Sequence, residues 1–174
     1  MLLIKAMKAF RIQTAILILF ASISIHRCDH GIAPMAEVAT EPGGISGTIT
    51  YLHWPDLSTI KNLKVVVFKK FPPGDILQEV VNGDAIVHPP ELNQSLPRGE
   101  GVDSTFYSME IPGGVYEYVV VAQQFGTIYD WRAVGQYDIS PQDSLPTAIQ
   151  VLSGQILTNI DIRVDFDNLP VQPF

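Results

Sequence analysis

Cys28 is the one cysteine in 174 residues, so the chain has a single thiol and no partner with which to close an internal disulfide. Four histidines are present: His26, His30, His53 and His88. His53 and His88 each precede a proline turn (His53-Trp54-Pro55 and His88-Pro89-Pro90). Neither has a second His or Cys at the close spacing that zinc sites use, so both read as turn histidines near the surface. Asp161, Asp165 and Asp167, with Asn168, come nearest to a cluster for a hard cation such as calcium, which needs several oxygen ligands. Carboxylates two apart on a strand are too spread to chelate one ion without a loop, and Arg163 stands between two of them. These three are weak metal candidates, and the row reads first as a solvated strand face.

No Gly-x-Ser-x-Gly elbow, phosphate loop or dinucleotide fingerprint occurs. Catalysis is therefore not expected and no cofactor is implied. The alternative is a secreted enzyme or metal-binding domain whose site residues are dispersed along the chain. Aromatic side chains offer a different chemistry, the stacking and anchoring that Trp and Tyr supply at contact surfaces. Trp54, Tyr129, Trp131 and Tyr137 fall in or beside turn-rich regions, and Gly126 to Asp138 (GTIYDWRAVGQYD) carries most of them with Arg132. Tyr129, Trp131, Arg132, Tyr137 and Trp54 are the candidate contacts for a protein or glycan partner. The competing reading makes them plugs for the open end of a sandwich.

Something must carry those residues to where they act, and the N-terminus reads as an export signal. Lys5, Lys8, Arg11 and Arg27 are unopposed, because the first acidic residue is Asp29. Ile12 to Ile25 is an apolar run of about 14 residues, short of the roughly 20 that span a bilayer. Cys28 follows at the spacing of a lipidation site, although Arg27 stands where a small residue is usual. The alternative is cleavage near Ser22-Ile23-Ser24 and free secretion. Residues 1–27 are thus expected to be a signal peptide, and 28–44 a lipidated cysteine and flexible tether. Beyond Cys28, seven Lys and Arg stand against all 18 Asp and Glu, a balance of −11. That charge repels phosphate backbones, so nucleic acid is excluded as a partner. The expected partners are the membrane, through the N-terminal lipid, and an envelope protein or glycan.

Residues 45–167 read as an all-β, Ig-like antiparallel sandwich of about seven strands, with 168–174 as a tail. Ile45 to His53 alternates apolar and polar. Leu63 to Phe68 (LKVVVF) is nearly continuous, as a strand covered on both faces would be. Thr105 to Ile111 alternates, Pro112-Gly113-Gly114 turns the chain, and Val115 to Ala122 leaves that turn as a strand. Two more strands are expected at Thr147 to Leu152 and Ile156 to Phe166. In the latter, Ile160, Ile162, Val164 and Phe166 face the core, and Asp161, Arg163, Asp165 and Asp167 face out. Asp75 to Val81 is the one helix candidate. Asn82 to Ser104 and Gln123 to Pro146 are longer than sandwich turns require, as functional loops often are.

Three stretches in order resemble carboxypeptidase regulatory-like domains: Gly44 to Tyr51 with Leu63 to Phe68, then Ile111 to Ala122 (IPGGVYEYVVVA), then Ile149 to Val164 (IQVLSGQILTNIDIRV). The likeness covers about Gly44 to Phe166. It implies a small transthyretin-like sandwich acting as an accessory, non-catalytic module, of a kind found in bacterial cell-envelope proteins. The long middle insertion departs from the family pattern.

Overall fold

A computed structural model describes residues 41–140 and 145–173. The expected signal peptide, Cys28 and most of the tether lie outside the described residues. The described chain is all-β with one short α-helix and a single turn of 3-10 helix at Leu57–Thr59. Its strands are β1 (Gly43–Leu52), β2 (Asn62–Phe68), β3 (Ala85–His88), β4 (Ser104–Ile111), β5 (Gly114–Tyr116), β6 (Tyr118–Gln124), β7 (Trp131–Gln136), β8 (Ile149–Val151), β9 (Ile156–Leu157) and β10 (Ile162–Asp165). Helix α1 (Ile76–Asn82) lies between β2 and β3.

One curled sheet runs in the order β3-β2-β6-β7-β10-β1-β4, with β9 also beside β1, and β5 and β8 form a separate pair. The sheet folds over where β7 meets β10 through only Arg163↔Gln136 and Val164↔Gly135. Its two halves then face each other like the leaves of a sandwich. Val65, Val67, Val119, Val121 and Val134 from one half meet Ile45, Ile49, Tyr107, Ile111, Ile162 and Val164 from the other in one buried cluster. Each such side chain fully removed from water contributes roughly 1.5–3 kcal/mol. Tyr116, Ile149 and Val151 bring the small sheet into the same core.

Every residue of β2 is buried, as its unbroken apolar run requires. Its inner face joins the main core. On its outer face Val66 and Phe68 join Tyr118, Val120, Ala122 and Ala133 in a second cluster, over which Ile76 of α1 and Trp131 pack. Asp75 starts α1 by accepting a hydrogen bond from Gln78 N, and Gly83 ends it at φ 74°, the residue for which that backbone region is unstrained.

Three features differ from the alternation read in the sequence. First, the one strand expected over Ile156 to Phe166 is divided into β9 and β10, and while most pairings are antiparallel, both of these run parallel to β1. Period-two patterning fixes which side chains are buried and leaves strand direction open. Gly47 makes the parallel arrangement sterically feasible, since a Cβ there would stand 2.1 Å from Ile160 O. Asp161 Oδ1 takes the Thr48 N–H at 2.7 Å, occupying a donor in the gap between β9 and β10. Second, the single strand expected over Val115 to Ala122 is divided at Glu117. Tyr116 pairs with β8 while Tyr118 pairs with β2, and the Glu117 carboxylate receives Phe71 N–H at 2.9 Å.

Third, both long "loops" contain strands, β3 in one and β7 in the other. The rest of the first is tied to β2 by a buried lysine. Lys64 is 2% exposed, and its Nζ donates to the carbonyls of Pro89 (2.8 Å), Glu91 (2.6 Å) and Gln94 (2.8 Å). Burial pulls the Lys64 ammonium below the usual lysine value, yet all three of its N–H groups have acceptors. Asn62 Nδ2 donates to Leu92 O, and Leu96 N donates to Leu63 O, which seats Leu96 in the core.

Candidate functional site

The aromatic segment resolves into a tight turn followed by a strand. Gln124 ends β6 and Trp131 opens β7, with the two residues paired in register. Between them Asp130 organises the backbone. Its Oδ2 receives both the N–H and the hydroxyl of Thr127, each at 2.6 Å. Phe125 N donates to Asp130 O, and Asp130 N to Thr127 O. Gly126 leaves room for this carboxylate, because a Cβ there would lie 2.5 Å from Asp130 Oδ2 and would push the Asp130 side chain aside. The two bonds from Thr127 hold the Asp130 carboxyl below its usual range.

This turn fixes the backbone that carries both aromatics and pins one of the two rings. Trp131 Nε1 donates to Ile128 O at 2.7 Å, which pins the indole while its outer part stays accessible. Tyr129 is 78% exposed. Together with Gly74, Asp75, Ile76 and Leu77 at the start of α1, the two rings line a hollow of about 160 Å³. A smaller apolar hollow of about 70 Å³, also bordered by Trp131, is lined by Leu77, Val80, Val87 and Leu92 among others.

Arg132 does not enter this surface as a free cation. Its Nε donates to Gln123 Oε1 at 2.9 Å, and its guanidinium lies 5.4 Å from the centre of the Phe125 ring. Trp131 and Arg132 thus belong to strand β7, and a loop was expected there; the reason is their antiparallel pairing with Gln124 and Gln123 of β6, which makes the segment the second arm of a hairpin. Trp54 and Tyr137 lie elsewhere. Trp54 is held between Tyr51 (4.6 Å) and Phe166 (4.8 Å), with Nε1 donating to Val102 O. Tyr137 packs against the main core. Both close the sandwich, and neither joins Tyr129 and Trp131.

The acidic row faces out as the alternation requires, but its members do not converge on a point. Asp161 is engaged with Thr48 N. Asp165 accepts from His53 Nδ1 at 2.8 Å, and Arg163 lies 3.8 Å from its other oxygen. Asp167 Oδ2 is 3.7 Å from His53. Among the described residues no group of three or more His, Cys, Asp or Glu is arranged to hold a metal ion. The hydrogen bond and charge of Asp165 raise the His53 pKa, and the same bond lowers that of Asp165. Beside this row, Arg163 and Asp165 border an open groove of about 750 Å³ whose far wall is Leu169 to Val171. There Gln172 bonds both the N–H and the C=O of Ala133 through its side-chain amide, standing in for a neighbouring strand along β7.

Sequence reasoning did not place α1 beside the aromatic turn. Asp75 to Val81 stands out only as a helix candidate of barely two turns, and nothing in the order of residues links 74–77 to 129–131. No helix among the described residues is long and apolar enough to cross a membrane. No family model matches the chain, and no curated protein matches it. A solved leucine-rich repeat protein from Bacteroides thetaiotaomicron VPI-5482 is similar at a TM-score of 0.36 and 11% identity, over 74% of this chain and 14% of that one.

Proposed function

We propose that the chain is an exported, lipid-anchored, non-catalytic β-sandwich module of the carboxypeptidase regulatory-like kind at a bacterial cell envelope, and that it binds a glycan on the Tyr129–Trp131 platform. One observation carries the binding site: an exposed Tyr129 and an accessible Trp131 on a turn already locked by Asp130 and Thr127. The Trp131 ring, held by its bond to Ile128 O, loses little freedom on binding, and aromatic faces suit the apolar faces of sugar rings. The hollow beside them, about 160 Å³, suits a single sugar unit and has Asp75 at its rim. A protein partner is the second reading, favoured by the apolar hollow that Trp131 and the exposed Leu92 both line. The basic leader, the short apolar run and the position of Cys28 support export and anchoring. A stable anchor would need more than one acyl chain on that residue.

Affinity electrophoresis through gels containing cell-envelope polysaccharides tests the site. Tyr129→Ala is expected to weaken retardation roughly tenfold, Trp131→Ala at least as much, and Trp54→Ala at the sandwich end much less. Equal retardation of all three variants would remove the platform from consideration. Intact mass and membrane fractionation test the anchor. A mature form beginning at Cys28 with added acyl mass, absent in Cys28→Ser, is the expected result. An unmodified form cut upstream would make this a secreted domain.

A further inference from the structure

The two edges of the curled sheet are finished differently. At one end β3 has four residues and runs straight into Pro89 and Pro90. A short strand closed by prolines is a poor template for a further strand. At the other end β4 has eight residues, Ser104–Ile111, without Pro, Lys or Arg. Its register with β1 is unbroken from Gly43↔Ile111 to Thr50↔Ser104, so no bulge twists it away. Among the described residues nothing pairs with its outer side.

The hydrogen-bond phase of that edge follows from one contact. Tyr51 N donates to Asp103 O at 2.9 Å. Antiparallel residues turn their backbone groups alternately toward and away from a given neighbour. Asp103, Thr105, Tyr107 and Met109 therefore address β1, while Ser104, Phe106, Ser108 and Glu110 present N–H and C=O outward. These same four have exposed side chains, and Phe106 is 71% exposed in the middle of the row.

We propose that β4 is a self-pairing edge, at which two copies of this chain join antiparallel about a twofold axis at Tyr107. This surface is independent of the glycan platform. In that register Phe106 of each copy lies opposite Ser108 of the other, and Ser104 lies opposite Glu110. Each of these pairs exchanges both N–H···O bonds. The two Phe106 rings become diagonal neighbours, close enough for aromatic contact. Self-pairing is favoured over an unrelated strand because the row is complementary to itself. Its one charge, Glu110, meets a serine hydroxyl and not its own copy, although the domain as a whole is acidic.

Sedimentation velocity of the full chain in density-matched detergent, over rising concentration, tests the pairing. Wild type is expected to pass from monomer to dimer. Phe106→Lys is expected to raise the dissociation constant at least about tenfold, through loss of the aromatic pair and placement of two cations side by side. Ser108→Pro removes an outward N–H without touching the β1 ladder and should do the same. Val81→Lys, exposed on α1, should leave dimerisation unchanged. Hydrogen exchange supplies a readout independent of mass: the amides of Phe106, Ser108 and Glu110 should slow as concentration rises, and that of Tyr107 should not change. A wild-type chain that stays monomeric, or a dimer indifferent to both edge substitutions, overturns the proposal.

Discussion

Residues 89–96 and residues 125–131 look alike in the sequence, each a turn-rich stretch within a long interval between strong strands. Their internal bonding separates them. The first stretch is closed by a charge hidden from water, with Lys64 reaching three carbonyls from beneath. The second is closed by Asp130 and Thr127 at the surface, where water competes for every bond. A shielded, charge-assisted bond secures the fold, and losing it strands several acceptors. An exposed bond contributes little to stability yet fixes the outline of a surface. The first stretch therefore holds the sandwich together, and the second shapes what the sandwich presents.

The contrast breaks most visibly at Lys64. Lys64→Met keeps much of the stem and removes all three donors, so stability should fall by about 3 kcal/mol. Urea unfolding monitored by circular dichroism reads this, and a change below about 1 kcal/mol would deny the lysine its role as a staple. Asp130→Ala should act the other way round. Its midpoint of unfolding should move far less than that of Lys64→Met, while retardation by polysaccharide falls nearly as far as in Tyr129→Ala. If Asp130→Ala unfolds the domain as readily as Lys64→Met, the division between securing and shaping bonds fails.

The smallest effect sharpens the same line by pH. Because Thr127 lowers the Asp130 pKa, the carboxylate's contribution is present above the ordinary carboxylate range and is lost as pH falls through the lowered value. The turn should loosen only in strongly acid solution. Thr127→Ala should move that loosening to higher pH. Trp131 fluorescence in a Trp54→Phe background follows it, and an onset unmoved by Thr127→Ala would show that another group governs the turn.

Much of the fold was legible because burial is written in periodicity. Ile160, Ile162 and Val164 are buried and Asp161 and Arg163 exposed, as strict alternation demands, and β2 is buried along its whole length. The division at Glu117 was not legible, since a single Glu between two tyrosines also suits the solvent side of one continuous strand, and only the competing partners, β8 and β2, split it. Strand β7 was hidden for a related reason. Trp131 to Gln136 mixes polar and small residues, and it is a strand because β6 offers it a ladder. Of the candidate contacts, Tyr129 and Trp131 share one surface, whereas Trp54 and Tyr137 close the sandwich.

By itself the sequence determined the all-β class, the inward and outward faces of the main strands and the acidic balance, because each depends on local pattern or on composition. Only the tertiary structure decided that β9 and β10 run parallel to β1, that Lys64 reaches across to Pro89, Glu91 and Gln94, and that α1 forms a wall beside Trp131. Those outcomes depend on which distant segments meet. Gly47 permits one such meeting by leaving room for Ile160, and that vacancy acquires meaning only once the backbone of residue 160 has been brought there.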